Sequence, residues 1–233
     1  MAEPLTVRNL ETLDLQASPL REVNARLQAA SEGHFEITRP NGAHALAVGL
    51  TAPLEVEIMG HTGYYTAGMN QQARLIIHGN AGPGLAENMM SGTVRVTGDA
   101  SQYAGATGHG GLLVIEGHAS SRCGISMKGI DIVVGGNVGH MSAFMAQAGR
   151  LVVLGDAGAD FGDSLYEARL YVRGEVASLG ADCIEKPLLA AHIDELTLLL
   201  ERAGMNADPL TFRRYGSARK LYNFTIDNAG ADP

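Results

Sequence analysis

From residue 54 to residue 174 the chain repeats one short pattern: alternating apolar and polar positions, then a glycine, then a stretch of small residues. The closing glycines are Gly60, Gly79, Gly98, Gly117, Gly136, Gly155 and Gly174, each 19 residues after the last. Four residues before them stand Val56, Leu75, Val94, Leu113, Ile132, Leu151 and Leu170. Two residues before them stand Ile58, Ile77, Val96, Ile115, Val134, Val153 and Val172, so both columns are wholly aliphatic. Five before stand Glu55, Arg74, Thr93, Leu112, Asp131, Arg150 and Arg169, mostly polar. A period of two is the mark of a strand with one buried face.

After each anchor glycine the rule changes from apolar to small. Three residues on come Gly63, Gly82, Ser101, Ser120, Gly139, Gly158 and Ala177; seven on come Ala67, Ala86, Gly105, Gly124, Ala143, Gly162 and Ala181. Small residues at fixed offsets mark corners where backbones pass closely or take unusual φ. A 19-residue unit is too short for βαβ, which needs about 30 residues. It fits one coil of a parallel β-helix, and parallel crossovers are overwhelmingly right-handed. The expected fold is therefore an all-β solenoid, a right-handed parallel β-helix of about seven coils. At ~4.8 Å per coil it would be a rod roughly 30 Å long.

Such a rod has two strand edges to cover. Ahead of the repeats, Leu20 to Ala30 has a helical pattern, and FEITRPNGAHALAVGL reads as a hairpin about Asn41-Gly42. Behind them, PLLAAHIDELTLLLERAG predicts a helix from Pro187 that stops at Gly204 and closes the C-terminal end. Its apolar face would hold Leu188, Leu189, His192, Leu196 and Leu199. The last stretch gathers Phe212, Arg213, Arg214, Tyr215, Arg219, Lys220, Tyr222 and Phe224 in an otherwise acidic chain. Arg and aromatics dominate interface hot spots, so it reads as a docking arm. A tail folded back on its own solenoid is the alternative.

Composition narrows the function. Glycine is 30 of 233 residues and tryptophan is absent, which suits many tight turns around a narrow aliphatic interior. A net charge of −8 argues against nucleic acid as a partner. The N-terminus MAEPLTVRNLETLDL has no apolar run, and no segment approaches a membrane span, so a cytoplasmic protein is expected. Cys123 and Cys183, 60 residues apart, are then expected as reduced thiols, too few for an iron–sulfur cluster.

DIVVGGNVGHMSAFMAQAG, residues 131–149, has the outline of a nucleotide-binding loop, but Val134 stands where the first glycine of G-x-G-x-x-G should be. It reads instead as the fifth coil. His61 and His118 both follow an anchor glycine, three coils or roughly 14 Å apart. His78, His109 and His140 hold unrelated offsets, and the histidines read as surface or corner hydrogen-bonding groups, not a metal centre. Cys123 occupies an offset held by Thr66, Ala104 and Ser142, and no base partner is evident, so it reads as a space-filler. Met59, Met69, Met89, Met90, Met127, Met141 and Met145 fall within the coils, as gap-fillers or as an adaptable contact surface. No catalytic, cofactor-binding or metal-ligating residue is expected.

The G-x-x-G-x-x-x-G coils resemble the GXGXG β-helix that ends the large subunit of glutamate synthase, and the related β-helix subunit of formylmethanofuran dehydrogenase. Longer strings are most similar to the free-standing β-helix subunits of N-methylglutamate synthase and its glutamate-synthase-like relatives. They are HALAVGL (44–50), GYYTAGMN (63–70), RCGISMKG (122–129), VGHMSAFMAQAGRLVVLGDAG (138–158), YEARLYVRGEVASLGADCIEK (166–186) and RRYGSARKLYNF (213–224). The resemblance implies an N-terminal cap over 1–53, a GXGXG β-helix over 54–186, and a C-terminal capping helix and docking tail over 187–233. It also implies a scaffold in a hetero-oligomer. An amidotransferase-like subunit and a subunit carrying FMN and an iron–sulfur cluster would perform the chemistry, and this chain would bind no cofactor. A place in an enzyme of the formylmethanofuran dehydrogenase type, or an independent β-helix binding protein, is the remaining alternative.

Overall fold

The computed structural model describes residues 10–219. Its strands are β1 (Leu10–Asp14), β2 (Gly33–Thr38), β3 (Leu54–Met59), β4 (Arg74–Ile77), β5 (Thr93–Val96), β6 (Leu112–Ile115), β7 (Lys128–Val134), β8 (Ala148–Val153), β9 (Arg169–Val172), β10 (Cys183–Lys186) and β11 (Arg213–Ser217). Its helices are α1 (Leu20–Gln28) and α2 (Ala190–Ala203). The strands form one sheet in the order β1-β2-β3-β4-β5-β6-β7-β8-β9-β11-β10, parallel from β1 to β9. This is the expected all-β parallel solenoid of about seven turns.

From β3 to β9 the register is the sequence repeat itself. Val56 lies beside Leu75, Leu75 beside Val94, and so on to Leu170. All fourteen residues of the two aliphatic columns are at most 1% exposed, forming a continuous core inside the coils. A second column of parallel bridges follows the strands, where Thr62, Ala81, Ala100, Ala119, Val138, Ala157 and Val176 pair in sequence.

The corners have an unusual backbone. In the six coils from Gly60 to Gly155, the residues five, seven and nine after the anchor all have φ between +52° and +70°. Only four of these eighteen are glycine: Gly84, Gly105, Gly124 and Gly162. A left-handed L-residue costs roughly 1–2 kcal/mol, and the hydrogen bonding shows what offsets it. The three left-handed residues of a coil donate their N–H groups alternately forward and back. Arg122 and Ser126 donate forward to His140 and Phe144, while Gly124 donates back to Ala104. Each coil is thus tied to the coils on both sides.

The solenoid extends further toward the N-terminus than the seven repeats. β2 pairs in parallel with β3, Gly33 opposite Leu54, and the Gly42 and Ala45 N–H groups donate to His61 and Tyr64. Residues 33–53 are therefore another turn of the rod, and the hairpin expected about Asn41-Gly42 is corrected. Those two residues do take the left-handed pair a hairpin would use, φ 45° and 71°, but spend it on a corner. Ahead of this turn, α1 buries Val23 and Leu27 on the end of the core. Its Asn24 amide accepts from Ala47 N–H and donates to Ala45 O, and Gln28 donates to Val48 O. These side chains hydrogen-bond the turn where a preceding coil would otherwise do so.

The expectation that a helix closes the C-terminal end is also corrected. The edge of β9 is covered by β11, running antiparallel, with β10 outside it. α2 lies instead on the outer face of the sheet. Leu196, Leu199, Leu200 and Ala203 pack with Leu112, Val114, Val133, Val152, Leu154, Tyr171 and Phe212 in a second core. The helix starts at Ala190, not Pro187, and ends at Gly204 in the left-handed conformation, φ 65°.

Candidate functional site

The polar groups of the coils are committed chiefly to one another. One residue after each anchor stand His61, Asn80, Asp99, His118, Asn137, Asp156 and Glu175. The first six each accept a hydrogen bond from the backbone N–H of the next residue in the series, at 2.7–2.9 Å. His61 and His118 accept through Nδ1, so each ring carries its proton on Nε2. The two histidines are rungs of a ladder, as the corner-bonding expectation required. The ladder explains the anchor glycines too. A Cβ on Gly98, Gly117, Gly155 or Gly174 would run into the side-chain oxygen of Asn80, Asp99, Asn137 or Asp156 and into the preceding anchor's carbonyl. The signal was in the sequence: every side chain in that column can accept a hydrogen bond.

The other histidines are dispersed. His78 Nε2 lies 2.8 Å from Glu57, whose other oxygen is 3.5 Å from His34. The His78 bond holds the Glu57 carboxyl below its usual range. His140 lies 3.4 Å from Asp160. Among the described residues, no group of three His, Cys, Asp or Glu side chains is placed to hold a metal ion. No helix there is long and apolar enough to cross a membrane. Cys123 is fully buried and unpaired, and burial pushes its thiol up to about 12. Cys183 is likewise buried and raised to about 12, by burial first and then by Asp163. A thiol that stays protonated is neither nucleophile nor ligand.

The methionines divide. Met89 and Met127 fill the core, whereas Met59, Met69, Met90 and Met145 are exposed; Met141 and its neighbour Phe144 are half-buried.

The docking arm is corrected for its first part. Phe212 lies in the second core. Tyr215 is 2% exposed and meets Phe161 edge-on at 6.1 Å. Arg214 is 2% exposed and lies 3.5 Å from Pro187 O. Arg213 donates to Gly174 O at 2.7 Å, and Arg219 pairs with Asp182. Arg213–Ser217 of this stretch is strand β11, folded back on the chain's own sheet, because the antiparallel partner it needs is the bare edge of β9. Lys220, Tyr222 and Phe224 lie outside the described residues.

A charged network pins α2 to the sheet. Arg150 grips Asp131 with two bonds of 2.6 and 2.7 Å, and Asp131 is only 5% exposed. Glu195 of α2 accepts from Arg169 and the Tyr171 hydroxyl at 2.7 and 2.8 Å and lies 3.3 Å from Arg150. Burial and the bond to Glu195 raise the Tyr171 phenol. At the other end, Arg95 donates to Ala203 O at 2.5 Å, a cation on the helix C-terminus. These groups position an element and are spent on doing so. A roomy concavity of about 390 Å³ lies elsewhere, an open cleft lined by Arg39, Pro40, Met59, Gly60 and His61.

No family model matches the chain. Protein GlxC of Rhizobium meliloti (strain 1021) is 61% identical over 227 residues, covering 95% of this chain and 100% of the relative. With that identity across nearly the full length of both, the chain belongs to the same family as Protein GlxC.

Proposed function

We propose that this chain is a non-catalytic scaffold subunit of a heteromeric glutamate-synthase-like enzyme of the N-methylglutamate synthase type. In that assembly an amidotransferase-like subunit and an FMN- and iron–sulfur-bearing subunit convert methylamine and L-glutamate to N-methylglutamate and ammonia. The solenoid holds the two in fixed relation, so that a small amine passes between their sites.

One observation carries the reading: the side chains that could do chemistry are used to hold the rod together. The ladder histidines accept from backbone N–H groups, the thiols are buried, and the best-organised charges fasten a helix. Hydrogen bonds repeated between coils make a stiff spacer, which is what a scaffold requires. The string resemblance to the β-helix subunits supplies the choice of enzyme.

The test is purification of the tagged chain from its native cell, with mass spectrometry of what accompanies it. A flavin and iron–sulfur protein and an amidotransferase in fixed ratio are expected, with methylamine-dependent N-methylglutamate formation in the complex and none in the isolated chain. A monomer that ignores both proteins, or activity in the chain alone, overturns the proposal.

A further inference from the structure

The corner column five residues after the anchor holds Tyr65, Gly84, Tyr103, Arg122, Met141 and Asp160. All six have positive φ, from 55° to 70°. Five of them carry a side chain in that conformation, so the backbone does not require glycine at 84. The space above Gly84 is taken by another group. A Cβ there would come within 2.9 Å of Glu87 Oε2 and 3.3 Å of Tyr64 Cε2. The Glu87 carboxylate therefore lies where the column's own side chain would stand, in line between Tyr65 on one coil and Tyr103 on the next but one.

Among the described residues, Glu87 has no side-chain hydrogen bond or ion pair, and partial burial raises its carboxyl. Rings surround it. Tyr64 and Tyr65 have centroids 5.6 Å apart, and Asn88, held by Thr107 at 2.6 Å, lies 3.4 Å from the Tyr65 hydroxyl. One coil beyond Tyr103, Arg122 sits 5.9 Å from the Tyr103 ring centroid, so the column already places one cation over a tyrosine. The neighbouring surface is open: Tyr64 at the corner and Met69, whose N–H donates to Glu87 O, are 50% and 44% exposed.

We infer that the Gly84 corner is a binding site for an organic cation, an alkylammonium or alkylguanidinium group. Its charge would meet the Glu87 carboxylate, its hydrogens the Tyr64 and Tyr65 rings, and its aliphatic stem Met69. A carboxylate among aromatic rings is a chemically matched receptor for such a group, and each contact is modest at an exposed site. Two sources share this chemistry, a free alkylamine and a lysine or arginine side chain of a neighbouring protein.

The test is titration of the full-length ¹⁵N-labelled chain with methylammonium, N-acetyl-lysine methylamide and N-acetyl-arginine methylamide, using N-acetyl-norleucine methylamide as the neutral control. Saturable shifts at the Gly84, Glu87 and Asn88 amides are expected, with Kd of roughly 1–30 mM as suits a small exposed site. Glu87→Gln should weaken binding at least tenfold while amides of the distant coils keep their positions. Tighter binding of the lysine or arginine derivative identifies a protein partner, and tighter binding of methylammonium a free amine. Absence of saturable shifts, equal shifts with norleucine, or unchanged binding by Glu87→Gln overturns the inference.

Discussion

Gly124 and Ala143 hold the same left-handed backbone one coil apart, φ 69° and 59°, so a Cβ at this offset is a question of space. At Gly124 a Cβ would stand 3.3 Å from Ile132 Cδ1 and Met127 Sδ; at Gly162, 2.7 Å from Cys183 Sγ. Gly124→Ala is expected to cost about 1 kcal/mol or less, but Gly124→Val and Gly162→Val roughly 2–5 kcal/mol, from a β-branched residue at positive φ plus overpacking. Urea unfolding checks the ranking. In the ladder, His118→Ala leaves the Asn137 N–H without its acceptor and should cost about 1 kcal/mol. His118→Asn should restore most of this, since Asn80 and Asn137 already serve as rungs; amide exchange at Asn137 reports it directly. Cys123 gives a pH dependence of known sign. Its folded thiol is raised to about 12, whereas an unfolded thiol ionises near pH 8.5. Below that value both states hold the proton and stability is unaffected. Between there and about 12 only the unfolded chain releases it, so stability falls by about 1.4 kcal/mol per pH unit. Cys183, raised to the same value, adds a like slope, so Cys123→Ala should remove one of the two contributions in denaturation series from pH 8 to 10.

α2 shows what the repeat conveyed and what it concealed. The inward columns are aliphatic because they see only other coils, and that monotony makes a solenoid legible. The outward column three residues before the anchor reads Glu57, Ile76, Arg95, Val114, Val133, Val152 and Tyr171, turning apolar from the fourth coil onward. That change marks the seat of α2, but it is a trend along one column, easily hidden beneath the 19-residue period. The amphipathic pattern of the helix revealed that it packs, not against what, since end and side of the rod are equally apolar partners. The hairpin about Asn41-Gly42 failed for a related reason: the dipeptide specifies left-handed φ, and a coil corner uses it as readily as a turn. The docking reading failed for the first part of the tail because an Arg- and Tyr-rich segment suits a sheet edge as well as a foreign surface. At this scale, Asp131→Ala leaves the part-exposed Arg150 with Glu195 alone and should cost roughly 1.5–3 kcal/mol, and Leu199→Ala roughly 2–5 kcal/mol. Both should raise amide exchange in α2 before they affect the N-terminal coils, as hydrogen-exchange mass spectrometry would show.

The whole molecule is a rod whose identical coils are not in identical circumstances. A bare solenoid communicates only between adjacent units, so its stability is a sum of local terms and its ends open first. α2 breaks that rule. Its packing reaches from β6 to β9, its charges touch β7, β8 and β9, and its last carbonyl is held by Arg95 of β5. It is a coupling that skips neighbours and joins several coils into one melting unit, while the coils before β5 keep only the adjacent bonds. Under native conditions the C-terminal half should therefore open in a single concerted step, and the N-terminal coils one after another at lower free energy. A heterogeneous melting profile then follows from a near-perfect repeat. The half that yields more easily carries Tyr64, Gly84 and Glu87, so a ligand bound there would raise the opening free energy of the N-terminal coils first.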